Sequence, residues 1–144
     1  MRTKRENLYD LDYNLWQQQA IADLQNRDSS NLDWENLILE IAEVGKSQKR
    51  ALKNYVQRLI EHILKIQYWE SEKERNLSHW RIEIRNFREQ ILELLADSPS
   101  LKNYLEQNYV EWYKKSISKM QLEFSIENQQ IIDLSDILSL DFFG

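Results

Sequence analysis

Apolar residues recur along this chain at helical spacing, and the polar gaps between them mark where helices should start and stop. Tyr13, Trp16, Ala20 and Leu24 fall at intervals of 3, 4 and 4. That puts them on one face of a helix running from near Asp12 to Arg27, closed by the polar stretch Arg27 to Asn31. A second helix is expected after Asp33, whose carboxylate can accept from the free amides of the first turn. Leu32 and Leu37 have the spacing of a hydrophobic staple, and Trp34, Leu37, Ile38, Ile41 and Val44 share a face. Gly45 is expected to end this helix, because glycine takes the left-handed C′ conformation at little cost.

Leu52, Val56, Leu59, Ile63 and Ile66 then repeat at 4, 3, 4 and 3, predicting a third helix from Ser47 to about Tyr68 or Trp69. A stripe of this kind belongs inside a bundle. The charged run from Glu70 to Arg75 reads as a loop. Trp80, Ile84, Phe87, Ile91 and Leu94 repeat the same intervals in a fourth helix that follows Ser78 and ends near Asp97. Ser98 as N-cap and Pro99 at the first helical position open a fifth, whose apolar face is carried by Leu101, Leu105 and Trp112, joined by Tyr104, Tyr109 and Met120. The tail, with Ile131, Ile132, Ile137, Phe142 and Phe143, is too apolar to be free. It predicts a short helix near 134–139, packed back with its acids outward. Trp16, Trp34 and Trp80 are read as core and Trp69 as half exposed. The pattern therefore predicts an all-α fold: a helical bundle of about five main helices plus a short C-terminal helix, in one domain spanning 1–144.

Composition narrows this further. Two Gly and one Pro in 144 residues are too few for the many turns of a sandwich, barrel or α/β fold. Sixteen aromatic residues argue against disorder. The absence of Cys excludes a disulfide framework, a thiolate metal site and a cysteine nucleophile, and it fits a reducing, cytoplasmic setting. No apolar run exceeds three residues, so no membrane span is expected. The stretch Met1 to Asn7 leads into acidic and aromatic residues, not an apolar core, and does not read as a signal peptide. The formal charge of −5 is uneven along the chain: residues 1–119 balance, and the tail carries Glu123, Glu127, Asp133, Asp136 and Asp141 without a base.

Four groups of residues could carry chemistry. Gly45-Lys46-Ser47 looks like the end of a phosphate-binding loop, but Glu40 stands where the first glycine is needed and no strand precedes it, so a helix junction is the better reading. Glu40 and Glu43, with His62 on the next predicted helix, are the candidate metal ligands, since bundles hold metals with carboxylates and His from facing helices. The Glu-x-x-His spacing of such sites is missing. Arg58 and His62 are the candidate catalytic pair: helical-bundle ribonucleases of the HEPN type place an Arg and a His on one helix, one to hold phosphate and one to move a proton. Here three residues intervene, where four to six are the rule. Finally, Lys46, Lys49, Arg50 and Lys53 on the third helix, with Arg81, Arg85 and Arg88 on the fourth, could bind phosphates. The competing reading pairs the first row with Asp33, Glu35, Glu40 and Glu43 of an antiparallel second helix.

The block Leu32-Asp33-Trp34-Glu35-Asn36-Leu37, with Glu40-Ile41 and Gly45-Lys46-Ser47, resembles the bacterial "domain of unknown function 29" family, common in cyanobacteria. Further matches are His62-Ile63-Leu64-Lys65, Gln67-Tyr68, Ser78 with Trp80, Asp97-Ser98-Pro99-Ser100-Leu101, and the ending Ile137-Leu138 with Asp141-Phe142. The resemblance implies an all-helical fold and no activity. Family members often carry a more basic, Pro-bearing loop after Gln-Tyr, whereas here Trp69 to Glu74 is mixed and acidic. The resulting expectation is a non-enzymatic interaction module without a cofactor. It would bind a protein partner or itself through an exposed helical face, or nucleic acid through the basic rows. The alternative is a ribonuclease or metal-dependent hydrolase centred on His62.

Overall fold

The structure is a computed structural model that describes the backbone of residues 4–144 and side chains from Leu8 onward. Met1-Arg2-Thr3, part of the stretch read above as no signal peptide, lies outside the described residues. Among these residues the chain is all-α, with helices α1 (Lys4–Leu11), α2 (Tyr13–Gln25), α3 (Trp34–Tyr68), α4 (Glu70–Asp97), α5 (Leu101–Met120) and the short α6 (Leu134–Ile137). No helix among them is long and apolar enough to cross a membrane.

Three helix boundaries differ from expectation. The second and third predicted helices are one 35-residue helix, α3, which passes through Gly45 without a break. Gly45 keeps a negative φ, the only glycine in the left-handed region being Gly144. A helical interior glycine costs only about 1 kcal/mol against alanine. The helix formers on both sides outweigh that, because no proline or capping side chain follows to stop the chain. The charged run Glu70 to Arg75 is likewise helical, opening α4 directly after Trp69. Glu70 and Glu72 fall in its first turn, where the helix dipole favours anions, and Arg75 reaches back to Glu72 at 2.7 Å. The third difference is at α5: Pro99 and Ser100 form a turn ahead of the helix, Leu101 N–H donating to Ser98 O at 2.9 Å, and no side chain caps the start.

Other boundaries follow the sequence. Asp12 caps α2 by accepting from Leu15 N–H at 3.0 Å. Asp33 sits ahead of α3, its backbone carbonyl accepting from Leu37 N–H at 3.0 Å. The chain divides into two compact units, Met1–Ser47 and Gln48–Gly144.

The second unit holds the core. The predicted stripe of α3 is fully buried, with Leu52, Val56, Leu59 and Ile63 at 0% exposure, and it packs with Trp80, Ile84 and Ile91 of α4 and with Leu105, Trp112 and Ile117 of α5. Trp69 is half-buried, stacked 6.1 Å from Trp80 and 5.0 Å from Phe124. Glu61, buried beside the stripe, is paired with Lys119 at 2.9 Å. The tail packs back as expected. Ile126 and Ile137 are buried, and Asp133 and Asp136 stay exposed. Tyr68 and Tyr109 donate their hydroxyls to the carbonyls of Asn128 and Ile132.

The first unit is built differently. Between Leu8 and Ser47 only Trp16 and Ala20 are buried. Trp34, expected in the core, is 53% exposed, and Ile38, Ile41 and Val44 on the same predicted face are exposed as well.

Candidate functional site

In the first unit a group of aromatic and acidic side chains converges. Tyr9 and Tyr13 lie four residues apart across the junction of α1 and α2, with Trp16 three residues beyond. Their rings make a contact cluster, with centroids 4.8 Å apart for Tyr9 and Trp16 and 5.7 Å for Tyr13 and Trp16. Both tyrosines donate to one carboxylate of α3: Tyr9 Oη to Glu40 Oε1 at 2.5 Å and Tyr13 Oη to Glu40 Oε2 at 2.6 Å. Trp16 Nε1 donates to Asp33 Oδ2 at 3.0 Å, and Asn36 Nδ2 donates to the same oxygen at 2.7 Å. These bonds hold α2 against the start of α3 by polar contacts around a single buried indole.

Electrostatics follow from those donors. The Tyr13 and Tyr9 hydroxyls hold the Glu40 carboxyl below its usual range, so it stays an anion. The same bond, from the other side, pushes Tyr9 up to about 12. Beside this clamp an apolar groove of ≈ 240 Å³ runs between α2 and α3, with Trp16, Ile21 and Leu24 on one wall, Leu37, Ile41 and Val44 on the other, and Glu40 and Tyr13 at its polar end.

The sequence-derived candidates fare unequally. Glu40, Glu43 and His62 all lie on α3, so they do not come from facing helices as a bundle metal site requires. Among the described residues no three potential ligands gather. His62 spends Nδ1–H on the Arg58 carbonyl at 2.7 Å and rests against Phe87, 5.4 Å between ring centres. Burial, opposed by that carbonyl, pushes its pKa down, so the ring is neutral at pH 7. Arg58 thus meets His62 through its backbone, one helical turn away.

The basic rows are also divided. Lys46, Lys49, Arg50, Arg81 and Arg85 are exposed and Lys53 is half-buried. Lys49 lies 5.1 Å over the Tyr104 ring and Arg81 5.8 Å over Phe143. Arg88 leaves the row. It is 1% exposed, and its guanidinium donates to the carbonyls of Ile137 at 2.9 Å, Leu140 at 3.4 Å and Phe142 at 2.7 Å. Its charge serves to hold the tail and is not offered to a phosphate. The antiparallel pairing of acidic and basic rows does not form either, because both rows lie on the one helix α3.

The clamp itself was missed from the sequence. Glu40 was singled out, but as a metal ligand. The available signal was the Tyr9 and Tyr13 pair at i, i+4, two phenol donors with the spacing of one helical face. No curated protein and no solved structure matches the chain. Residues 8–143, from just ahead of Tyr9 through Phe143, match the family described as Domain of unknown function DUF29, and this protein belongs to that family.

Proposed function

We propose that this protein is a helical interaction module whose first unit docks a protein partner. One observation carries the reading. Among the described residues, ten of the fifteen exposed large hydrophobic ones fall between Leu11 and Val44, and only two residues of that stretch are buried. Scattered exposed apolar side chains are ordinary, but a segment that exposes most of its apolar residues marks an interaction surface. Charge favours a protein over nucleic acid or an anionic membrane: Met1–Ser47 holds nine acids and five bases.

A photo-cross-linking residue placed at Ile38 tests this in the cells that make the chain, with Leu122, 86% exposed in the second unit, as the control position. The expected result is a discrete protein adduct at position 38 and none at 122. Adducts to nucleic acid alone, or equal diffuse labelling at both positions, would overturn the reading.

A further inference from the structure

The groove of the first unit has two properties that together define what it accepts. Its walls are mainly aliphatic, with the Trp16 indole among them, and at ≈ 240 Å³ it is smaller than the pockets of about 300–1,000 Å³ that take cofactors and drug-sized ligands. It has room for a few side chains. A furrow between two helices, with apolar positions on both walls, suits anchors spaced at i, i+3 and i+4 on a third helix.

Its surroundings are negative. The first unit carries a net charge of −4, nine acids against five bases. The one carboxylate lining the groove, Glu40, is fixed in place by two phenol donors and kept ionised by them. A fixed carboxylate beside apolar walls, in a unit of net negative charge, selects a partner of opposite charge.

We propose that the groove between α2 and the start of α3 takes a cationic amphipathic helix of a partner protein, its apolar side chains seated against Ile21 and Ile41 and its basic flank facing Glu40. The proposal rests on the protein-docking reading above and adds the chemistry of the partner. A second copy of this chain does not supply such a helix from its own basic stretch. Leu52 and Val56, the apolar residues that accompany Lys49, Arg50 and Lys53, are fully buried in the core of the second unit.

The test uses the full chain and labelled synthetic peptides of about five helical turns, read by fluorescence anisotropy. The peptides are a Leu/Lys amphipathic helix, the same pattern in Leu/Gln and in Leu/Glu, and a scrambled Leu/Lys sequence. The Leu/Lys helix is expected to bind, about tenfold more tightly than the Leu/Gln helix, and the Leu/Glu and scrambled peptides are not. Ile41→Ser, at a side chain 67% exposed and so harmless to folding, is expected to weaken it by about tenfold. Glu40→Gln is expected to weaken it and flatten its salt dependence. Equal binding of the Leu/Gln helix, still lost on Ile41→Ser, would sink the cationic partner and leave protein docking standing. Equal binding of the scrambled peptide would reduce the effect to diffuse charge and overturn the proposal. So would a dimer in sedimentation equilibrium that Ile41→Ser dissolves, since the groove's occupant is then a second copy. Failure of every peptide to bind, with no cross-link at position 38, would overturn both readings.

Discussion

The two units spend their hydrophobic residues in opposite ways. Gln48–Gly144 buries nineteen of them in one continuous cluster drawn from α3, α4, α5 and the tail. Among the described residues of Met1–Ser47, an indole and an alanine are buried and the large aliphatics are at least partly open. Stability in the second unit comes from apolar burial, which scales with area removed from water. In the first it depends far more on directed polar contacts, two tyrosines on Glu40 and one tryptophan on Asp33. The same alphabet of Leu, Ile, Trp and Tyr therefore builds a scaffold in one half and a surface in the other, and burial, not composition, tells them apart.

Substitutions can break this contrast or sharpen it. The largest effect is expected from Trp16→Ala, which removes the one large buried side chain among the described residues of the first unit, at a cost of about 3–5 kcal/mol. Hydrogen exchange should show amides of residues 8–47 losing protection while those of the second unit keep theirs. Equal loss in both would show that the units do not unfold separately. Next comes Arg88→Ala, which strips three tail carbonyls of a buried charged donor and should cost about 3 kcal/mol in denaturant unfolding. It should also expose the tail to limited proteolysis. An unchanged midpoint would place the tail's stability in its apolar contacts alone.

Gly45→Ala should stabilise by about 0.5–1 kcal/mol, since the position is helical and an added Cβ meets no atom within 4 Å. Destabilisation would mean that the helix needs glycine there.

The smallest effects are those of pH, and they separate the units by range. Glu40 is held below its ordinary 4.5, so its contribution is full above that value and is lost as pH falls through its lowered pKa. Tyr9 is raised from 10.0 to about 12, so the clamp persists below pH 10 and is lost as pH rises toward 12. The first unit should thus loosen at both extremes, and Tyr9→Phe should shrink the alkaline limb to the share of Tyr13, as followed by the fluorescence of Trp16. In the second unit the lowered pKa of His62 predicts stability that is full above 6.5 and declines in acid, and His62→Asn should abolish that decline.

Much of the fold was legible because local pattern and packing agree in the second unit. The stripe from Leu52 to Ile66 and its counterpart from Trp80 to Leu94 face the core as their spacing demands, and the tail packs where its apolar residues predicted. Local pattern failed where chemistry is weak against context. Gly45 carries a stop signal of about 1 kcal/mol, which an uninterrupted run of helix formers overrides. The charges of Glu70, Glu74 and Arg75 look solvated and are, with Glu72 and Lys73 half-buried, but solvation is no obstacle to a helix.

The candidate site was half legible. Glu40 stood out by position, while its tyrosine donors lie some thirty residues earlier, and no periodicity links them. Arg88 shows the same limit, since its spacing matches the exposed Arg81 and Arg85.

The sequence by itself determined the helical class, the apolar faces and the charge balance of residues 1–119, because these depend on residue type and on a period of 3.6. Tertiary structure decided which apolar faces are covered. Leu52 and Ile41 read alike along the chain, and one is buried completely while the other is two-thirds exposed. That difference is non-local, fixed by whether another element reaches the face. It turns a predicted bundle helix into both a core strut and an open groove.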